Sequence, residues 1–466
     1  MLQVGRGAVI FGLALSLALA GPVAAAAAAA AAPPGGGPAR PVAIRCGRII
    51  DGVSEEVLAG GTVLIEGERI TRVGREVALP GGAEVIDLSD HTCLPGFIDC
   101  HTHLTDRPES GGDEADHLRR SAADVAFRSI DNARRTLEAG FTTVRDVGTY
   151  HAFTDVALRD AINRGDVVGP RMQVAGFYVT IPGGGGELNS FAPEIRLPEH
   201  LRFGVASGPD EIRRVVRQAV RQRVDLIKVI ASGAFLALGS VPQAPAFTEE
   251  EIRAAVREAG KAGLKVAAHA HDALSIVASA RAGVASIDHG TFIDAEAIRA
   301  VLKHGTYVVA DLISGPCIKE VGREQGWPEE YIRKQEESET IWPESIRKAQ
   351  RAGVRIAFGT DAAVCPHGAN ARQFPLMVEW IGMTPMQAIR SATSVAAALM
   401  GWEDRVGSLA PGRFADLVAV PADPLRDLRV LASIPFVMKG GRVIKDARPG
   451  RTPGNEAAQF CESRSN

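Results

Sequence analysis

Short apolar runs recur along the middle of the chain: Phe97–His103, Phe141–Asp146, Arg171–Gly176, Asp225–Ala231, Leu264–His269, Val284–His289, Tyr307–Leu312 and Val354–Thr360. Runs of this length with turn residues between them read as buried strands. Between many of them the apolar positions switch to helical spacing, as in Glu249–Ala262, Ala273–Ala282, Asp294–His304 and Glu339–Ala352. Thr248-Glu249-Glu250-Glu251 is a capping box that starts the first of these helices. Eight strands alternating with helices predict an α/β chain folded as a (β/α)8 TIM barrel over 97–407. A doubly wound open sheet competes. No Gly-x-Gly-x-x-Gly run follows the first strand, which argues against the nucleotide-binding version of that fold.

The flanks have another texture. Val42–Arg45, Thr62–Glu66, Arg69–Val73 and Glu84–Asp87 are short strands separated by Gly60-Gly61, Gly67 and Pro80-Gly81-Gly82. The pattern returns in Ala415–Val420 and Phe436–Ile444, with Gly440-Gly441 as a hairpin turn. A small β-sandwich-like domain built from both termini, 41–96 and 408–447, is expected. Before it, Arg6, the apolar stretch Ala8–Ala20 and the small residues after Gly21-Pro22 fit a secretory signal peptide over 1–26. A low-complexity linker fills 27–40 and a polar tail 448–466. The chain is therefore expected to be exported, periplasmic or secreted, with no membrane span in its mature form.

Composition changes the picture little. Of 466 residues, 46% are hydrophobic and 23% charged, with a net charge of -3, so neither nucleic acid nor an anionic membrane is an expected partner. The cysteines, Cys46, Cys93, Cys100, Cys317, Cys365 and Cys461, include no C-x-x-C, which leaves one or two disulfides open and gives no thiolate metal site.

The chemistry lies at the strand ends. Residues at the C-terminal ends of barrel strands face the active site. The first strand ends in His101 and His103, which share a side because strand side chains repeat every second residue. Asp99 is a further polar residue inside the same apolar run. Lys228 interrupts the apolar fourth strand, the fifth and sixth end in His269 and His289, and Asp361 follows the eighth. Taken singly, each has a plain structural role: a hydrogen-bonded core histidine, or an aspartate capping a helix. Five strands ending this way in order point to a metal centre, since neutral imidazole and carboxylate are standard zinc ligands. No Ser-His-Asp or Cys-His order offers a competing nucleophile.

With Pro-Gly-Phe-Ile-Asp-Cys-His-Thr-His (95–103), Lys228, the two separate histidines, Gly359-Thr360-Asp361 and the closing run 407–417, the chain resembles the metal-dependent amidohydrolase superfamily. Within it, the chain is most similar to the imidazolonepropionase-like branch, which includes Xaa-Pro dipeptidases and ochratoxin-hydrolysing amidases. The resemblance implies two divalent metal ions, zinc foremost. His101, His103 and Asp361 would hold one and His269 and His289 the other, with an N-carboxylated Lys228 bridging both. An ammonium does not ligate a dication, whereas burial frees a neutral amine that can take up carbon dioxide as an anionic carbamate. Left unmodified, Lys228 would instead pair with Asp225 or Asp361. Two metals lower the pKa of a shared water and polarise a carbonyl, and Asp361 is suited to pass the proton to the leaving amine.

For substrate binding, His271 shares a side with His269 and is a candidate partner for a carboxylate, or the ligand in place of His269. Arg145 is a second anion partner, unless it pairs with Asp146. Tyr178 lies on the loop after the third strand, beside Gly183–Gly186, whose four glycines imply mobility. Relatives often carry a histidine within such a run, where this chain has Gly185. His367 and Arg372 are weaker candidates on the loop beyond the eighth strand. The expected activity is hydrolysis of an amide in a small molecule, such as a dipeptide, Xaa-Pro or an N-acyl amino acid with a free carboxylate. The alternative is a cyclic-amide hydrolase or deaminase of the same superfamily. Deaminases of that superfamily usually lack the lysine and place a Glu after the fifth-strand His; His269-Ala270-His271-Asp272 departs from that. The resemblance also leans towards a homo-oligomer.

Overall fold

The computed structural model describes residues 40–449. The expected signal peptide, nearly all of the linker and the tail beyond Pro449 lie outside the described residues. Arg448, placed by its polarity in the tail, is held instead, donating to the Asp87 carbonyl and pairing with Asp446.

In chain order, β1 (Val42–Ile49), β2 (Leu58–Glu66), β3 (Arg69–Gly74) and β4 (Glu84–Pro95) come first. Next are β5 (Phe97–Thr102), β6 (Phe141–Asp146), β7 (Arg171–Val174), β8 (Tyr178–Val179) and β9 (Leu226–Ile230). Then follow β10 (Lys265–Ala270), β11 (Ser286–His289), β12 (Tyr307–Ala310) and β13 (Ile356–Phe358). β14 (Leu417–Val420), β15 (Phe436–Lys439) and β16 (Arg442–Asp446) close the described chain.

The terminal strands form one seven-stranded sheet, ordered β16-β15-β14-β4-β1-β2-β3, whose N-terminal and C-terminal strands pack into one shared core. β4 makes the connection: its start runs parallel to β1, and its end pairs antiparallel with β14. Gly440 and Gly441 both take positive φ in the β15–β16 hairpin, the backbone that a two-residue turn requires. A disulfide between Cys46 and Cys93 joins β1 to β4.

The middle strands are parallel. β5-β6-β7 form one sheet and β13-β12-β11-β10-β9-β8 another. Backbone hydrogen bonds join the two at both edges. Asp361 N–H donates to the His101 carbonyl and His103 N–H to that of Ala362, both at 2.9 Å, while Asp225 N–H donates to Val174 at 2.8 Å. β5, β6, β9, β11 and β13 are buried along their whole length because helices cover them, so the runs are apolar without alternation. Helices Glu249–Gly260, Ala273–Ala282, Ala295–His304 and Ile341–Arg351 stand where helical spacing predicts them. The capping box at Thr248 forms, with its hydroxyl accepting from Glu251 N–H. Asp272 and Asp294 cap the next two helices. The buried rings of Phe97, Phe141, Phe358 and Phe374 pack 4.6–6.5 Å apart beneath β5, β6 and β13. Each such burial contributes roughly 1.5–3 kcal/mol. Among the described residues no helix is long and apolar enough to cross a membrane.

Candidate metal centre and substrate pocket

The strand ends bring the predicted residues together. His101, His103, Tyr178, Lys228, His269, His271, His289 and Asp361 all line one cavity of about 170 Å³. Period-two geometry puts His101 and His103 on one side, with Nε2 atoms 3.4 and 3.2 Å from Asp361 Oδ1. His269 and His271 likewise share a side, their rings 4.5 Å apart. Two sets of donor atoms lie close enough for one ion each: His269, His271 and His289, and His101, His289 and Asp361. His289 belongs to both. His289 and Asp361 also have positive φ (74° and 55°), an uncommon backbone for residues with a Cβ. Strain of this kind collects at functional sites.

Hydrogen bonds to the far side of each ring fix which nitrogen faces the cavity. His289 Nδ1 donates to Asp311 Oδ2 at 2.9 Å, and His103 Nδ1 to the Gly148 carbonyl at 2.8 Å. His271 Nδ1 pairs with the Thr291 hydroxyl at 2.8 Å. In these three rings Nε2 is left as the free donor atom. His269 is reversed, with Nε2 donating to the Gly233 carbonyl and Nδ1 left free. Anchoring one nitrogen while the other stays open is how protein metal sites orient imidazole ligands. Burial, then nearby positive charge, holds His101, His269 and His271 well below the usual imidazole range, so they are neutral. Burial pulls His103 the same way, but the hydrogen bond and charge of Asp361 outweigh it and push it up to about 9. A cation entering between these two therefore displaces a proton. The donor set, imidazoles with one carboxylate and no thiolate, fits zinc or a similar divalent ion.

Lys228 is 1% exposed, and its ammonium pairs with Asp288, not with Asp225 or Asp361. Asp225 is taken by Arg159 and Asp361 by the histidines. Burial lowers the Lys228 pKa against the opposing pull of Asp288.

Arg145 corrects another expectation. It lies outside the cavity, 3% exposed, with Nε on the Cys100 carbonyl, Nη1 on Ser286 and Nη2 on Asp288 at 2.9 Å. Neither Asp146 nor a substrate anion is its partner. Asp146 accepts from Leu104 N–H at 2.6 Å. His367 is a buried residue and donates to the Asp106 carbonyl at 2.8 Å, while Arg372 pairs with Glu320 at the surface. Neither lines the cavity.

The glycine run is tied down where mobility was expected. Gly183 N–H donates to Glu187 and Gly186 N–H to Thr180. A Cβ at Gly185 would stand 2.7 Å from Ala234 Cβ, which leaves no room for a side chain as the loop is packed. Tyr178 faces the cavity from β8, its hydroxyl donating to the Gly148 carbonyl at 3.2 Å. Asp311, just past β12, obeys the same strand-end rule as the histidines, but a lone aspartate after an apolar run gives no sign of its partner His289. Asp99 was visible as a polar residue in an apolar run, but its role was not. Its carboxylate accepts from Thr360 Oγ1 (2.6 Å), Asn370 Nδ2 (2.7 Å) and the His101 backbone (3.1 Å), which locks β5 to the segment carrying Asp361.

A parallel α/β fold with this histidine, lysine and aspartate constellation defines a metallohydrolase-like class, and the chain belongs to the amidohydrolase family, whose pattern it matches over residues 92–445. It is thus an enzyme, a hydrolase of amide bonds in small molecules, with a TIM-barrel-like α/β fold. Ochratoxinase of Aspergillus niger is 30% identical over 441 residues, covering 90% of each chain. Its crystal structure superposes with a TM-score of 0.78 over 89% of this chain and 97% of its own. A Xaa-Pro dipeptidase with bound methionine in its active site reaches a TM-score of 0.81 at 36% identity, over 86% of this chain and 99% of its own. Imidazolonepropionase of Cutibacterium acnes is 26% identical over 84% of this chain and 92% of its own.

Proposed function

We propose that the protein is a binuclear metal-dependent hydrolase that cleaves the C–N bond of dipeptides, Xaa-Pro or N-acyl amino acids bearing a free carboxylate. One observation carries this reading: histidines at the ends of three strands converge with Asp361 on a cavity into which the buried Lys228 also projects. His101, His103 and Asp361 would hold one ion and His269 and His289 the other, joined by Lys228 as a carbamate. Bound there, two divalent ions supply an activated water and polarise the substrate carbonyl.

The remaining work falls to the chain. Asp361 holds a carboxylate oxygen among the histidines, where it accepts the proton of the attacking water and returns it to the departing nitrogen. His271, neutral, can present an Nε2–H to the substrate carboxylate when its Nδ1 accepts from the Thr291 hydroxyl. Tyr178 lines the cavity beside His103. Carboxylation of Lys228 would take a cation from Asp288, but Arg145 remains 2.9 Å away to neutralise it. His101 Nδ1, without a hydrogen-bond partner and 3.7 Å from Asp288, can turn its proton to the same carboxylate. The surroundings therefore support either charge state at Lys228.

A second reading, cyclic-amide hydrolysis at one metal, is favoured by the likeness to imidazolonepropionase. His271 also stands as near His289 (4.6 Å) as His269 does (4.4 Å), so either can be the ligand. The buried Lys228 favours the first reading. Export is proposed from the N-terminal pattern, and the Cys46–Cys93 and Cys317–Cys365 disulfides support it. The test is hydrolysis of leucyl-proline beside its C-terminal amide and an imidazolone. Cleavage of the free acid, much reduced for the amide, is expected. Turnover of the imidazolone alone would transfer the assignment to the second reading.

A further inference from the structure

On the far side of His103 the cavity holds acceptors with nothing to accept. Asp106 lines it three residues beyond His103, and its backbone is clamped. Its N–H donates to the His103 carbonyl at 3.0 Å, and its own carbonyl accepts from His367 (2.8 Å) and Asn132 (3.2 Å). Its carboxylate, by contrast, makes no hydrogen bond and no ion pair among the described residues. The neighbouring Arg107 is turned away, donating to Asn132 and the Arg128 carbonyl and facing Asp131. Glu114 adds a second negative charge to the same wall, with one oxygen already occupied by Asn189 and Ser190. Gln335 Oε1, a neutral acceptor in the cavity lining, is buried and also lacks a partner.

A partly buried carboxylate without a counter-ion is costly, and a fixed one is preorganised for a charged donor. Substrate carboxylates and blocked acyl groups are poor matches for such a wall. A primary ammonium, with three donors and a positive charge, satisfies it. In an unblocked dipeptide the α-ammonium lies one carbon from the scissile carbonyl, so a residue one turn from a strand-end histidine is placed to meet it. We propose that Asp106 binds the free α-ammonium of the substrate's aminoacyl residue and so selects dipeptides with a free N-terminus over N-acyl amino acids. The assignment rests on the amide-hydrolase reading above and narrows it to one substrate class.

The experiment compares leucyl-proline with N-acetyl-leucyl-proline on the metal-loaded full chain, in the wild type and in Asp106→Asn and Asp106→Glu. The wild type should prefer the free dipeptide by about tenfold or more in kcat/KM, the worth of one charge-assisted contact. Asp106→Asn should lose that preference mainly through KM, leaving the acetylated substrate within about twofold, and Asp106→Glu should retain part of it. Equal or better cleavage of the acetylated compound by the wild type overturns the assignment while sparing the hydrolase reading. An equal fall on both substrates in Asp106→Asn also overturns it, because that is the signature of a structural role. Cleavage of neither substrate by folded, metal-loaded wild type overturns the hydrolase reading and this assignment with it.

Discussion

Arg145 shows how far one residue's role depends on what it faces. Along the sequence it is a cation at a strand end, next to an aspartate and open to a substrate. In the fold its guanidinium and Lys228 flank one fully buried carboxylate, Asp288. Asp288 consequently stays well below the usual carboxylate range despite its burial. Removing one partner of a buried charge group leaves the other uncompensated, which costs about 3–5 kcal/mol. Arg145→Met should therefore lower the urea midpoint by an amount corresponding to about 3 kcal/mol. A change under about 1 kcal/mol would mean that Lys228 alone suffices for Asp288. His101, His103, His269, His289, Lys228 and Asp361 were legible because period-two spacing and the strand-end rule are local. Arg145, Asp288 and Asp99 were not, because the partners that fix them lie 45 to 271 residues away in the chain.

Elements were legible to the extent that burial was one-sided or complete. The apolar runs became β5 to β7 and β9 to β13, and the capped helices began where their capping residues stand. The helix Glu329–Ser338, which precedes Ile341–Arg351, has a largely polar surface that hides its periodicity. Four glycines in a row give no sign in the sequence of the hydrogen bonds that Gly183 and Gly186 donate to Glu187 and Thr180. Their packing has a consequence for the loop as an element. Gly185→His must push Ala234 aside, so a loss of about 1–3 kcal/mol is expected by thermal or urea unfolding. Adding Ala234→Gly should recover most of it. Unchanged stability in the single variant would show that the loop gives way freely.

At the scale of the whole molecule, β4 lies wholly in the terminal sheet and leads through Gly96 directly into β5 and the metal-site histidines. That the chain ends combine was visible in their matching texture; their union in one sheet was not, because strand order is set by long-range pairing. Stability against acid is also a property of the whole. Burial holds His117 and His367 near a pKa of about 4, below the unfolded value of 6.5. Unfolded chains then bind more protons between those values, so each histidine costs stability as the pH falls through 6.5 towards 4. Buried Asp99, Asp106 and Asp155, raised to about 6, act in the opposite sense over much of the same range. The wild-type profile alone therefore does not isolate the histidines, but a difference does. His367→Gln, measured by urea unfolding, should gain about 2 kcal/mol on the wild type between pH 8 and pH 5. A pH-independent difference would contradict the burial argument.

The central claim is a binuclear site built on Lys228, and metal stoichiometry tests it most directly. The purified chain should carry close to two equivalents of divalent metal, and Lys228→Ala should hold one or fewer and lose hydrolysis of leucyl-proline. One equivalent in the wild type, or two retained with full activity in Lys228→Ala, would contradict it.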